Sequence, residues 1–189
     1  MDRSRLLTAL TALVALVASL VVAAPARAVE PIEDYPSYEP QRRCSPGDKP
    51  GTVEIGRWIV RRYGGGLGGI GRRCSRSSTS EHYEGRAFDW TVSARSRADR
   101  VRVRTFLRDL FASDRFGNTH ARARRMGVMY VIWDDHMYAA WDGYRAEPYR
   151  SSGCRRIRTC SPTLRHRDHV HLSLTRPAAR GETSWFRGR

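Results

Sequence analysis

Two short polar strings, far apart in the chain, set the strongest condition on its fold. The first string, residues 80–90, contains His82 and Asp89, and the second, residues 168–171, ends in His171. Two imidazoles and one carboxylate are enough protein ligands for a catalytic zinc ion, which keeps a fourth position open for water or substrate. If the three side chains bind one ion, the fold must bring the two strings side by side.

The first string can serve this purpose only if the chain bends within it. Side chains on a regular strand alternate between its faces, and His82 and Asp89 are an odd number of residues apart. A single strand would therefore turn these two side chains to opposite faces. Gly85 permits a bend over residues 82–86, and such a bend would return His82 to the face that carries Asp89.

The second string has the pattern of a strand whose two faces have different roles. On a strand, His169 and His171 point to one face, whereas Val170 and Leu172 point to the core. A hydrolytic site also needs a group that handles protons and the developing oxyanion, and the candidates are Asp168 and His169. Geometry favours His169, because it shares the face of His171.

Patterning along the rest of the chain predicts an α+β domain, in which a small antiparallel sheet carries the zinc site and helices pack on one side. Apolar spacing predicts helices over residues 52–63, 98–113 and 118–126. Strand-forming residues predict strands over residues 86–92, 127–133, 137–141 and 169–174. The second and third of these strands are expected to form a hairpin.

Several other features are interpreted as ordinary surface. The glycine run at residues 64–71 lacks the sequence of a phosphate-binding loop and is predicted to be a mobile loop that borders a cleft. Asn118 is expected to cap the helix that follows it. Exposed positions are expected for three histidines and two glutamates: His120, His136, His166, Glu81 and Glu84.

Composition divides the chain into four parts. Two early arginines, an apolar run and the sequence Ala-Arg-Ala at residues 26–28 predict a signal peptide at residues 1–28, with an uncleaved membrane anchor as the alternative. The protein is therefore expected to be secreted or associated with the cell wall, with no membrane span after cleavage. The other parts are a flexible leader rich in proline and acidic residues at 29–43, a folded domain at 44–175 and a basic C-terminal tail at 176–189.

Cysteine usage agrees with export. An even number of cysteines in an exported chain predicts disulfides, and this chain has four of them, Cys44, Cys74, Cys154 and Cys160. Three pairings are possible. We favour Cys44–Cys74 and Cys154–Cys160, because each of these disulfides would close a local loop.

The first string resembles the S-x-H-x-x-G-x-A-x-D signature of the zinc D-alanyl-D-alanine peptidases. That group is related in fold to hedgehog signalling domains and to lysostaphin-type endopeptidases, and the chain also resembles a set of secreted actinobacterial domains of this superfamily. The signature positions are occupied by Ser80, His82, Gly85, Ala87 and Asp89.

The second string resembles the closing motif of the same superfamily. His171 falls on the metal-ligand position, and Asp168 and His169 fall on two alternative catalytic positions. The carboxypeptidase branch has glutamate and tryptophan where this chain has Asp168 and Val170, so the string looks more like the endopeptidase branch. The substrate-holding arginine of the family cannot be assigned among the nearby candidates Arg72, Arg73 and Arg76.

The resemblance implies a metallopeptidase-like domain in a secreted zinc peptidase that hydrolyses peptide bonds in peptidoglycan or D-amino-acid peptides. In this interpretation His82, Asp89 and His171 bind Zn²⁺, and His169 or Asp168 is catalytic. A non-catalytic, zinc-containing domain that binds the cell wall is the alternative.

Net charge supplies the remaining expectation about partners. A formal charge of +15 gives the chain an affinity for anionic polymers such as those of a cell wall, and salt would screen that affinity. A nucleic-acid binder ranks third, because no base-stacking platform or nuclease motif can be recognised. The protein is expected to be a monomer.

Overall fold

The computed structural model describes residues 31–187, so the predicted signal peptide lies outside the described part of the chain. Within residues 31–187 the predicted α+β class is confirmed, with four α-helices and one six-stranded antiparallel sheet. The helices are α1 (Pro50–Tyr63), α2 (Arg97–Leu110), α3 (Ala121–Arg125) and α4 (Arg176–Arg180). The strands are β1 (Gly66–Leu67), β2 (Ala87–Thr91), β3 (Val128–Trp133), β4 (His136–Ala139), β5 (Ala146–Pro148) and β6 (His169–Leu174). Their order across the sheet is β1-β2-β6-β3-β4-β5.

The two long helices form because each has a clear start or stop signal and an apolar stripe. α1 begins with a proline and ends at Gly64, whose φ of 80° suits glycine. α2 begins after Ser96, whose hydroxyl accepts the N–H of Asp99 at 3.2 Å. The stripes bury large side chains against the sheet, namely Ile55, Ile59, Val103, Phe106 and Leu110.

The third helix is shorter than predicted, and Asn118 does not cap it. The backbone N–H and the side-chain amide of Asn118 donate to the carboxylate of Asp114 at 3.0 and 2.9 Å. His120, with a φ of 51°, lies at the N-cap position instead. The prediction was wrong because a short polar side chain found a local hydrogen-bond partner that competes with helix formation.

The sheet separates two clusters of buried side chains. Residues of all four α-helices belong to the larger cluster, which covers one face and includes Val170 and Leu172 of β6 and Phe88 and Trp90 of β2. The other face has a smaller cluster built mainly from β3. We call the face without α-helices the open face, and His171 lies on it between β2 and β3.

The predicted hairpin is formed by β3 and β4. Asp134 and Asp135 make its two-residue turn with φ values of 46° and 65°, which is the backbone conformation of a tight hairpin turn. The returning strand ends at Ala139, two residues earlier than expected, because residues 140–142 form a short 3₁₀ turn.

The glycine run is part of the sheet, so the prediction of a mobile loop was wrong. Gly66 and Leu67 form the edge strand β1, which pairs with β2. The N–H of Gly68 donates to the carbonyl of Asp89 at 2.7 Å and continues this pairing. A Cβ atom at Gly65 would lie 2.5 Å from the indole nitrogen of Trp90, so a glycine is needed for the close approach of the two segments.

The segments on either side of the predicted domain also contact it. Residues 31–43 contain no helix or strand, yet the carboxylate of Glu33 accepts the N–H and hydroxyl of Ser184 at 2.6 Å each. Glu39 forms an ion pair with Arg176 at 3.1 Å. The predicted tail carries α4, which packs against α1 and is buried there at Ala178. The folded body of the described chain therefore extends beyond residues 44–175 in both directions.

Both predicted disulfides are present. Cys44 is bonded to Cys74 and Cys154 to Cys160, and no free cysteine is found in the described chain. These bonds indicate an oxidising environment. Among residues 31–187, every helix is too short or too polar to span a membrane.

Candidate metal centre

Three side chains from the two polar strings meet on the open face. His82 Nε2, His171 Nδ1 and Asp89 Oδ1 form a triangle in which each pair of atoms is 3.2 Å apart. Asp89 and His171 are direct neighbours across β2 and β6, which places both side chains at the same level of the sheet. This group could hold a metal ion.

The predicted bend in the first string is present and brings His82 over the sheet. Residues Glu81–Glu84 form a 3₁₀ turn that starts after Ser80, whose hydroxyl accepts the N–H of His82 at 3.3 Å. Gly85 ends the turn with a φ of 64°. A Cβ atom there would lie 2.1 Å from the carbonyl oxygen of Gly47, so both backbone conformation and space require a glycine at this position.

A hydrogen bond from its second ring nitrogen fixes the orientation of the His82 ring. His82 Nδ1 donates a hydrogen bond to the carbonyl of Ile70 at 2.7 Å, and a carbonyl oxygen can only accept. Nδ1 therefore carries a proton, which leaves Nε2 as the nitrogen that would bind a metal ion in the triangle. Ile70 belongs to the glycine run, so this run supports the site, a role that the sequence analysis missed.

His171 is oriented by a chain of buried polar groups. Its Nε2 lies 3.0 Å from the hydroxyl of Ser173, which in turn donates to Glu81 Oε2 at 3.5 Å. The hydroxyl of Tyr130 donates to the same carboxylate oxygen at 2.6 Å. Because the serine proton is directed to Glu81, His171 donates from Nε2 to the serine hydroxyl, which leaves Nδ1 as the nitrogen that would bind a metal ion.

Burial favours the neutral form of His171. Desolvation lowers the pKa of His171 more than the neighbouring Asp89 carboxylate raises it. A neutral imidazole is the form that binds a metal ion. The ring of Tyr130 stacks on His171 with centroids 5.6 Å apart, which excludes water from that side of the imidazole.

Asp89 supplies the negative charge of the group. Burial acts to raise its pKa, but hydrogen bonds with His171 and His82 outweigh burial and hold the pKa well below its usual range. Its second carboxylate oxygen lies 3.4 Å from a guanidinium nitrogen of Arg72. Of the three arginines considered above, Arg72 is therefore the one that forms an ion pair with a residue of the triangle.

The two candidate catalytic residues form a hydrogen-bonded pair beside the triangle. His169 Nε2 lies 3.6 Å from Asp89 Oδ1, and His169 Nδ1 is 2.7 Å from Asp168 Oδ1. Asp168 is turned away from the triangle and also accepts the hydroxyl of Thr163 at 2.6 Å. Only His169 faces the candidate metal position, and Asp168 orients its imidazole.

A fourth imidazole lies next to the site, so the expectation of an exposed position for His166 was wrong. Its ring centroid is 4.8 Å from that of His169 and 5.8 Å from that of His171. Burial, reinforced by the neighbouring imidazoles, lowers the pKa of His166 to about 3. The turn before β6, where His166 has a φ of 50°, folds this ring back onto the sheet. His136 is exposed as expected.

The expectation of exposed positions for Glu81 and Glu84 was also wrong. Both are buried because Arg86, itself fully buried, lies between them at 3.9 Å from Glu81 and 2.6 Å from Glu84. The backbone N–H groups of Arg42 and Arg43 add two hydrogen bonds to Glu84. Buried charges need such partners. His120 is half-buried and bonded to the hydroxyl of Tyr35.

The chain was compared with known protein families, curated proteins and solved structures. Residues 44–156 match a family described as VldE, C-terminal domain. No curated protein and no solved structure matches the chain. The matched region includes His82, Asp89 and the Cys44–Cys74 disulfide, and it ends before β6, which carries His171. Because this region covers more than half of the sequence, the chain belongs to the family described as VldE, C-terminal domain.

Proposed function

We propose that the protein is a secreted, zinc-dependent peptidase that hydrolyses peptide bonds in peptidoglycan or related D-amino-acid peptides. The observation that carries this proposal is the triangle of His82 Nε2, His171 Nδ1 and Asp89 Oδ1, with three equal separations of 3.2 Å. The peptide substrate is inferred from the resemblance of the two strings to the zinc D-alanyl-D-alanine peptidases.

The separations in the triangle match those of a tetrahedral zinc site. Bonds of about 2.0–2.1 Å at tetrahedral angles place two ligand atoms about 3.3 Å apart. Two neutral imidazoles and one carboxylate also suit the borderline softness of zinc, whereas magnesium and calcium prefer oxygen ligands alone. The hydrogen bonds from His82 to Ile70 and from His171 to Ser173 fix both rings in the orientation that binding requires.

The residues beside the triangle supply the proton transfers. A zinc ion held there would contribute Lewis acidity, which activates water and polarises a carbonyl group. His169 would accept at Nε2 the proton that the attacking water loses, and would pass it to the amine nitrogen when the peptide C–N bond breaks. Asp168 would hold the other ring nitrogen in the donor state. The guanidinium of Arg72, which lies 3.4 Å from Asp89, would attract a carboxylate of the substrate.

The disulfides and the charge support a location outside the cytosol. Two disulfides form and persist in oxidising compartments. Most of the positive net charge would remain after removal of residues 1–28, and it favours retention near an anionic cell wall, where such a substrate occurs.

A second candidate is a non-catalytic, zinc-containing domain that binds the cell wall. One observation favours it: Asp168, the only acidic residue of the second string, is held away from the triangle by Thr163 and His169. If His169 alone cannot support proton transfer, the metal would only stabilise the fold or a bound ligand.

Metal content and hydrolysis, measured on the same samples, test both candidates. We expect about one zinc per chain, its loss in His171→Ala, and its retention in His136→Ala, which changes an exposed histidine of β4. Release of peptide fragments from purified peptidoglycan should stop with a chelator and return with zinc. Stoichiometric zinc without hydrolysis would support the second candidate, and failure of the unmodified protein to retain zinc would refute both.

A further inference from the structure

Three aromatic side chains form a continuous surface beside the metal centre. Tyr130, Tyr38 and Trp141 have ring centroids between 5.7 and 6.5 Å apart, and we call them the aromatic ridge. Tyr130 belongs to β3, Trp141 to the 3₁₀ turn after β4, and Tyr38 to the segment that precedes the first cysteine. Three separate parts of the chain therefore contribute to one surface.

The ridge runs from the metal centre into solvent. At its inner end, Tyr130 is 8% exposed and stacks on the metal-ligand candidate His171. At its outer end, Tyr38 and Trp141 are 49% and 47% exposed. Large aromatic side chains that remain half-exposed next to a candidate catalytic centre are typical of ligand-binding surfaces.

The ridge is held in place by hydrogen bonds and ion pairs before any ligand arrives. The hydroxyl of Tyr130 donates a hydrogen bond to Glu81. Tyr38 is held through the next residue, Glu39, whose carboxylate pairs with Arg176 and whose backbone carbonyl accepts a hydrogen bond from Arg86. Preorganised rings lose little conformational entropy when a ligand binds.

We propose that the aromatic ridge binds a pyranose ring of a glycan strand. This proposal deepens the proposed function, on which it rests, because peptidoglycan joins sugar rings to the peptides that the metal centre would cleave. A sugar ring has a flat C–H face and a polar edge, and it therefore fits an exposed aromatic face whose own edge is polar, as in Tyr38 and Trp141.

The shape of the surface favours a sugar ring over an apolar peptide side chain. A branched aliphatic side chain is best accommodated by an enclosed pocket. Cavities of about 480, 270 and 250 Å³ occur elsewhere on the protein, and none of these three is lined by a ridge residue. The rings of Tyr38 and Trp141 meet at an interplanar angle of 65°, so a sugar ring would stack on the exposed part of one ring and contact the other beside it.

Calorimetric titration with an N-acetylglucosamine tetramer tests the proposal on the full chain after the metal has been removed with a chelator. We expect binding that weakens at least about tenfold in Trp141→Ala and in Tyr38→Ala, because each loses one stacking surface. Trp141→Phe should retain most of the affinity. Phe116→Ala is the matched control: Phe116 is 52% exposed but packs under Arg115 in another loop, so its removal should leave binding unchanged.

Three results would overturn the proposal. The first is that the tetramer does not bind, and the second is that Phe116→Ala and Trp141→Ala weaken binding equally. The third is that a D-alanyl dipeptide, and not the sugar, binds in a way that depends on Trp141. Because the metal-free protein is used, a failure here is separate from the result of the zinc and hydrolysis measurements. Thermal unfolding of each variant shows whether a loss of binding reflects a loss of fold.

Discussion

The two faces of the sheet use the same strands for different purposes. On β6, Val170 and Leu172 point to the helices and are fully buried among apolar side chains. Their neighbours His169 and His171 point to the open face, where the polar groups are joined by hydrogen bonds. One strand therefore supplies both the apolar core and the candidate metal centre, because its side chains alternate.

The energetic basis of the two faces differs as well. The helix-covered face is stabilised by the removal of apolar surface from water. This contribution depends on the buried area and does not require a particular orientation of the groups. The open face buries polar groups, whose desolvation is offset only while every partner is present. A change on the first face should therefore affect global stability, and a change on the second should affect metal binding.

The largest difference is expected between substitutions of Leu172 and His171, which are neighbours on β6 but point to opposite faces of the sheet. Leu172→Ala leaves a cavity in the core and should lower the free energy of unfolding by about 2–5 kcal/mol, with zinc affinity little changed while the protein is folded. His171→Ala should abolish zinc binding at a much smaller cost to the metal-free fold. Urea unfolding in chelator and zinc titration of both variants measure the difference. Equal effects of the two variants in both measurements would contradict the division between the faces.

The next effect concerns two buried carboxylates that share Arg86. Glu81→Gln weakens the acceptor that orients Ser173 and His171, and we expect zinc affinity to fall by about 10–100-fold. Glu84→Gln is the matched control, because Glu84 contacts Arg86 but has no hydrogen bond to this chain of groups. Competition with a chromogenic chelator measures both affinities. If Glu84→Gln weakens zinc binding as much as Glu81→Gln does, the connection to His171 is not the cause.

Acid should destabilise the protein in part through Glu84, a buried carboxylate outside the apolar core, whose described side chains include no carboxylate. Burial acts to raise the pKa of Glu84, but the N–H of Arg42 and the guanidinium groups of Arg86 and Arg176 lower it to about 2. A carboxylate whose pKa is depressed in the folded chain stabilises the fold above about pH 4.5, the ordinary value, and this contribution is lost as the pH falls toward 2.

Urea unfolding of metal-free protein between pH 5 and 2 measures this contribution, which should be about 2 kcal/mol. The slope of stability against pH should be shallower in Glu84→Gln over the same range. An unchanged slope in the variant would show that other carboxylates cause the acid sensitivity.

The smallest effect should come from the edge of the open face. Asp168→Asn removes the negative charge of the acceptor that orients His169, and peptide hydrolysis should fall by about tenfold while zinc content and stability are unchanged. The loss is modest because Asp168 is exposed and water can take its place. His169→Ala should reduce hydrolysis much further. A larger effect of Asp168→Asn than of His169→Ala would make Asp168 the base.

Because side chains alternate along a strand, much of the division between the two faces could be predicted from the sequence. The positions of His171 and Val170 on opposite faces follow from strand geometry, and the bend at Gly85 follows from the condition that His82 and Asp89 must meet. The burial of Glu81 was not predictable in this way. It depends on Arg86 and Tyr130, which contact Glu81 only after the sheet has formed.

The glycine run shows a second limit of local sequence patterns. Glycines at residues 64–71 have low strand propensity, yet the segment forms β1 because β2 offers unpaired backbone groups and because Trp90 leaves no space for a larger residue at Gly65. Tertiary contacts determine the conformation of this segment, and they also bring the carbonyl of Ile70 to the position where it accepts a hydrogen bond from His82.

The Cys44–Cys74 disulfide makes the support of the turn that carries His82 dependent on the redox state of two thiols. It joins two segments that hold the turn carrying His82: the N–H of Ser45 donates to Tyr83 at 2.7 Å, and the N–H of Arg72 donates to His82 at 3.2 Å. In a reducing compartment this covalent connection is open, and the turn is held by hydrogen bonds alone. If the triangle binds zinc as proposed, oxidation of Cys44 and Cys74 would stabilise the turn that carries a metal ligand, and we expect a chain with both thiols reduced to bind zinc more weakly.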